Sequence, residues 1–113
     1  RRIRLHQLPF SHLGLTSVII EEGVTSIGND AFHYCTSLTS MVLPDNMTTL
    51  GDYAFAFCSS LETVNIGKNL AGTIDVYTFD HCISLTSIHV ADGNERYASV
   101  DGLLYNKDLT TLI

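Results

Sequence analysis

Basic residues are scarce in this chain of 113 residues: six Lys and Arg stand against twelve Asp and Glu, for a formal net charge of -6 and a pI of about 5.1. Surfaces that grip phosphate backbones are built from clustered cations, so no nucleic-acid partner is expected. The one basic cluster, Arg1, Arg2 and Arg4, sits at the first residues and reads as a solvated end. Long apolar runs are lacking as well. No stretch approaches the roughly 18 to 20 apolar residues of a membrane span, and the start lacks the charged-then-apolar layout of a signal peptide. Three cysteines cannot all pair within one chain, which disfavours a small disulfide framework and leaves the redox compartment open. The chain starts at Arg1 without a methionine and stops at Thr111-Leu112-Ile113 in a strand-like stretch, so it reads as an excised piece.

What is present is a repeat. Cys35, Cys58 and Cys82 are separated by 58-35 = 23 and 82-58 = 24 residues, and Phe32, Phe55 and Phe79 keep the same steps. Leu15, Leu38, Leu61 and Leu85 open four units reading LTSVII, LTSMVL, LETVNI and LTSIHV, the strand signature of a leucine-rich repeat. Period-two alternation sends Val18 and Ile20, Met41 and Leu43, Val64 and Ile66, and Ile88 and Val90 inward. Turns rich in Gly, Pro, Asp and Asn follow at Glu21 to Gly23, Pro44 to Asn46 and Gly67 to Asn69. The return arms read VTSIGNDAFHYC from Val24 and MTTLGDYAFAFC from Met47, while LAGTIDVYTFDHC from Leu70 carries an extra residue and predicts a distorted coil. Leu8 to Leu13 is a degenerate upstream copy with His12 at the cysteine register, and SVDGLLY with LTTLI, around Asn106 to Asp108, predicts a hairpin.

These features predict an α/β repeat fold: a leucine-rich-repeat solenoid with a parallel sheet on the concave face, short helical or irregular convex segments and a C-terminal β-hairpin element. The expected divisions are a degenerate first coil over 1–14, repeats of about 23 residues over 15–92, and a hairpin insertion or truncated next repeat over 93–113.

VTSIGNDAFHYCTSL, its counterpart from Met47 to Leu61, and the GN-x-x-Y-x-S-x-DG-x-L-Y-N-K-D element at Gly93 to Asp108 together resemble the BspA-like leucine-rich-repeat surface antigen family. The resemblance spans about Leu15 to Ile113 and is specific for fold more than for function. It implies a cell-surface or secreted protein, and, for some members, adhesion to host extracellular-matrix proteins.

Catalytic and metal signatures are missing. No nucleophile elbow, phosphate loop or dinucleotide-binding glycine pattern occurs, so neither enzymatic activity nor a cofactor is expected. The cysteines read as small buried residues in a ladder. His33 and His81 flank Cys35 and Cys82, yet in repeat register His33 aligns with Ala56 and Asp80, and His81 with Tyr34 and Phe57, so no ligand set for a metal converges. Asp30, Asp52 and Asp75 recur at 22- and 23-residue steps, and the expected role is local hydrogen bonding at the turn into the Ala-Phe segment. Asn46-Met47-Thr48 is a formal glycosylation sequon.

Solenoids bind through their extended sheet, so the outward strand positions are the candidate site: Ser17, Ile19, Ser40, Val42, Thr63, Asn65, Ser87 and His89. Ser, Thr and β-branched residues also suit exposed strands for their own sake, and the row lacks the Trp and Arg that anchor tight interfaces. The expected function is therefore a non-enzymatic protein-binding scaffold of adhesin type, set against a structural spacer or display repeat without a ligand of its own. Open solenoid ends add a route to self-association.

Overall fold

The computed structural model describes residues 2–3, 14–75 and 77–113; the degenerate copy at Leu8 to Leu13, with His12, lies outside them. Among the described residues there are nine strands. In chain order they are β1 (Arg2–Ile3), β2 (Ile19–Ile20), β3 (Ser26–Ile27), β4 (Ser40–Leu43), β5 (Thr49–Leu50), β6 (Thr63–Ile66), β7 (Ser87–Val90), β8 (Tyr97–Val100) and β9 (Leu103–Asn106). No helix among these residues is long and apolar enough to cross a membrane.

Each coil contributes one strand that is laid parallel to the strand one repeat earlier. β4, β6 and β7 form the central sheet, with Ser40, Thr63 and Ser87 in one row and Val42, Asn65 and His89 in another. β1 pairs with β2, Arg2 opposite Ile19 and Ile3 opposite Ile20. Burial alternates as the period-two pattern requires: Met41, Leu43, Val64 and Ile66 are each 1% exposed, whereas Val42 between them is 57% exposed. The turns close as three-residue steps, with Val24 N donating to Glu21 O and Met47 N to Pro44 O, both at 3.0 Å. A second short parallel ladder follows, β3 on β5.

Coils stack so tightly at these turns that one glycine has no alternative. A Cβ on Gly67 would lie 2.7 Å from the Pro44 carbonyl oxygen and 2.8 Å from that of Leu43, both backbone atoms of the neighbouring coil. Gly67→Ala is therefore expected to lower stability by about 1 to 3 kcal/mol through forced separation of two coils. A urea unfolding midpoint unchanged from the parent would refute that packing.

The convex arm contains no helix among the described residues, which corrects the helical half of the sequence expectation; the arm is a chain of irregular turns. The reason lies in how its amides are shared. Ala31, His33 and Cys35 donate back three residues, to Gly28, Asp30 and Phe32, at 3.1 to 3.3 Å. The amides between them, Asp30, Phe32 and Tyr34, donate to Asp52, Ala54 and Ala56 of the next coil, each at 2.9 Å. An α-helix would require every amide for its own i-4 carbonyl. Left-handed backbone breaks any helix again every four residues, at Asp30 (φ 59°) and Tyr34 (φ 62°), at Tyr53 (φ 56°) and Phe57 (φ 62°), and at His81 (φ 56°).

Asp30 thus occupies the left-handed register of Tyr53, and Asn29 is the residue in register with Asp52; Asp75, whose carbonyl accepts from Thr78 N as that of Gly28 accepts from Ala31 N, stands in the register of Gly28. Asn29 Oδ1 accepts from Asp52 N across coils at 2.7 Å. Asp75 Oδ1 accepts from Tyr77 N at 2.9 Å and from Thr78 N at 3.2 Å, the local role expected of it.

The core is a set of columns, one residue per coil. Phe32, Phe55 and Phe79 stack with ring centroids 5.4 and 5.6 Å apart and interplanar angles of 4° and 10°. Beside them runs the cysteine column, free of disulfides. Cys58 Sγ donates to Phe32 O at 3.2 Å and Cys82 Sγ to Phe55 O at 3.0 Å, so each thiol satisfies a carbonyl of the preceding coil. A second aromatic column lies outside: Tyr34 and Phe57 stack at 4.6 Å, Phe57 and His81 at 4.4 Å.

After β7 the chain leaves the coil path and builds a cap from side chains. Asn94 Nδ2 donates to the carbonyls of Gly67 at 2.9 Å and Leu70 at 3.2 Å, while its Oδ1 accepts from Arg96 N and Tyr97 N, both at 2.8 Å. Arg96 Nη1 donates to Ala71 O at 2.8 Å. The Tyr97 hydroxyl donates to Gly72 O at 2.9 Å and accepts from Ile74 N at 2.8 Å, so one side chain meets two backbone groups of the third return arm. β8 and β9 then form the antiparallel hairpin, with Val100 opposite Leu103. It covers the free edge of β7: Ile88 N donates to Gly102 O and Val90 N to Ser99 Oγ, both at 2.9 Å.

A candidate binding groove across the sheet

The parallel register fixes where the outward side chains stand. Val42, Asn65 and His89 form one row by strand pairing, and Ile19 stands one repeat upstream of Val42; all four are exposed, Ile19 and Val42 at 57% each. Ser17, Ser40, Thr63 and Ser87 form the second row; the first three are exposed, and Ser87 is half-buried where Gly102 of the hairpin packs against it. The eight candidates therefore share one face as two parallel rows.

The first of these rows lines a depression. A groove of about 590 Å³ runs along Ile19, Val42, Asn65 and His89, with Val18, Ile20, Leu43 and Ile66 contributing to its floor and Glu22, Pro44, Asp45, Gly67 and Ala91 to its lip. The Ser and Thr row lies beside the groove and not in it. Strand spacing of about 4.8 Å makes three steps of the row about 14 Å long, room for an extended peptide of about four residues. The lip residues Glu22 and Asp45 were not legible as site members. Their signal is positional: each follows an exposed apolar row residue by three, 22-19 = 3 and 45-42 = 3, and the intervening turn folds it back over the row.

Polar groups at the turns are already engaged in holding the coils together. Asp45 Oδ1 accepts from Lys68 N at 3.0 Å. Asn46 Nδ2, the atom a glycan would be attached to, donates to Glu22 O at 2.8 Å, and Thr48 Oγ1 of the same sequon donates to Thr25 O at 3.1 Å.

His33 and His81 belong to the outer aromatic cluster, and the cysteines to the column inside it. His81 stacks on Phe57 and lies 3.0 Å from Asp80 through Nδ1, and His33 packs edge-on against Tyr34 and Phe57. Among the described residues no group of three or more His, Cys, Asp or Glu is placed to hold a metal ion. Burial pushes the Cys35 thiol up to about 11. The hydrogen bond with the Cys82 thiol, followed by burial, pushes Cys58 far higher still, and the same hydrogen bond draws Cys82 down.

Comparison with known proteins agrees with this architecture. The family model described as a BspA type leucine-rich repeat region matches residues 5–112 in six copies. No curated protein matches the chain. Among solved structures, the pneumococcal vaccine antigen PcpA is similar over 88% of this chain and 31% of its own, at 26% identity and a TM-score of 0.61. A leucine-rich repeat protein from Eubacterium ventriosum is similar over 82% of this chain and 36% of its own, at 20% identity and a TM-score of 0.42. A leucine-rich cell surface protein from Faecalibacterium prausnitzii is similar over 82% and 37%, at 21% identity and a TM-score of 0.40. The chain thus spans about a third of the length of the solved structures it matches.

Proposed function

We propose that this chain, which belongs to the BspA type leucine-rich repeat family, is a non-enzymatic protein-binding scaffold whose groove along Ile19, Val42, Asn65 and His89 receives an extended segment of a protein ligand. The observation that carries the reading is the contrast between the two faces of one sheet. Inward positions fill a packed core, while the outward row leaves two large aliphatic side chains 57% exposed beside a concave lip. The likeness to a pneumococcal vaccine antigen supports placement at a cell surface or outside the cell. For an adhesin of that kind, a host extracellular-matrix protein is the first partner to try.

A binding site without Trp or Arg anchors works through modest contacts repeated along an array, and affinity then comes from multivalency. The 113-residue chain is expected to bind at least one member of a panel of extracellular-matrix and host-surface proteins saturably, read by surface plasmon resonance. The double variant Asn65→Ala and His89→Ala is expected to weaken that binding at least tenfold, about 1.4 kcal/mol, with an unchanged unfolding midpoint, because both side chains are exposed. Absence of saturable binding across the panel would overturn the reading in favour of a structural spacer.

A further inference from the structure

Among the groove's described lining residues Glu22 and Asp45 are the carboxylates, and no Lys or Arg is present. Both carboxylates line the groove together with Ile19 and Val42, each three residues beyond one of them in the chain. Asn65 and His89 offer hydrogen bonds to a peptide backbone or polar side chain.

An exposed aliphatic pair bordered by two carboxylates suits one kind of side chain. Lys and Arg carry three or four methylenes beneath a cationic head, so the stem can cover apolar surface while the head reaches an acidic lip. A purely apolar residue would leave the carboxylates unanswered, and an acidic one would be repelled. The chain's net charge of -6 acts in the same direction at long range, drawing cationic partners in and turning anionic ones away.

From this complementarity we propose that the groove selects an extended cationic segment, seating a Lys or Arg side chain over Ile19 and Val42 with its head against Glu22 and Asp45. The inference rests on the scaffold reading and names the chemistry of its partner.

The test uses the full chain with its sequence unchanged. Two fluorescent hexapeptide probes are compared by anisotropy, one alternating Lys and Val, the other alternating Glu and Val. The Lys peptide is expected to bind saturably and at least tenfold more tightly than the Glu peptide. Raising the salt from about 0.05 M to about 0.5 M is expected to weaken it severalfold, since a rim-exposed pair is screened. E22Q combined with D45N is expected to remove the difference between the two peptides. D45N keeps the side-chain oxygen that accepts from Lys68 N, so the unfolding midpoint should stay where it is.

Equal binding of the two peptides, no binding of the Lys peptide, or indifference to E22Q with D45N would each overturn the inference. The protein panel separates this failure from that of the scaffold reading. Panel binding that is lost with Asn65→Ala and His89→Ala but untouched by E22Q with D45N leaves the scaffold standing without its cation preference. A panel that binds nothing removes both.

Discussion

Phe55→Ala is expected to cost about 3 to 5 kcal/mol, enough to leave a chain of this size barely folded at room temperature. Phe55 is 0% exposed, and its ring is held between Phe32 and Phe79 at 5.4 and 5.6 Å. The substitution removes the middle of a column, so two neighbours lose a stacking face at once, and the cavity cannot be filled without breaking the inter-coil hydrogen bond from Phe55 N to Thr78 O at 3.1 Å. Phe79→Ala is the internal control: Phe79 is half-buried, has one ring neighbour in the column and is expected to cost less. Urea unfolding of the three proteins side by side checks the order, and equal losses for the two variants would contradict a core organised as columns.

Asn94→Ala comes second, at about 4 kcal/mol if each of its four hydrogen bonds contributes about 1 kcal/mol net. The side chain is 1% exposed and serves two donors and two acceptors at the junction between the last full coil and the hairpin. Alanine strands the carbonyls of Gly67 and Leu70 as well as the amides of Arg96 and Tyr97. The loss should have a direction in space. Hydrogen exchange at Ile88 and Val90, whose amides donate to Gly102 O and Ser99 Oγ of the hairpin, is expected to accelerate far more than at Thr48, whose amide donates to Thr25 O. Uniform acceleration across the chain would mean that the hairpin is no separate cap.

How much of this was legible in the sequence depends on whether the feature is periodic. Inward and outward positions of β4 and β6 follow from alternation alone, because side chains on a strand have only two directions. The column of Tyr34, Phe57 and His81 was visible as a register alignment before any ring geometry was known. Composition carried little warning of the left-handed backbone at Tyr34 and Phe57, since Tyr and Phe, unlike His, are not residues that usually adopt it; their rings stack with those of neighbouring coils. The helical alternative for the convex arm failed for that reason. Asp30 misled because its chemical type matched Asp52 while its register did not. Glu22 and Asp45 could not be assigned to a site from sequence because a turn residue joins a strand row only once the turn's path is known. The cap was equally hidden: Asn94 and Tyr97 look like ordinary loop and strand residues until they are seen replacing backbone partners.

The outer aromatic column bears on what the back of the molecule can offer. Tyr34, Phe57 and His81 lie nearly parallel, with interplanar angles of 9° and 5°, so each ring spends its flat surface on the next. Of the middle ring, Phe57, mostly the rim can meet water, and a rim is poor adhesive for a passing apolar surface. The middle of that column therefore offers little purchase in a crowded medium, and what the back of the molecule can offer an apolar partner is concentrated at the column's ends, where Tyr34 is 38% and the His81 side chain 61% exposed.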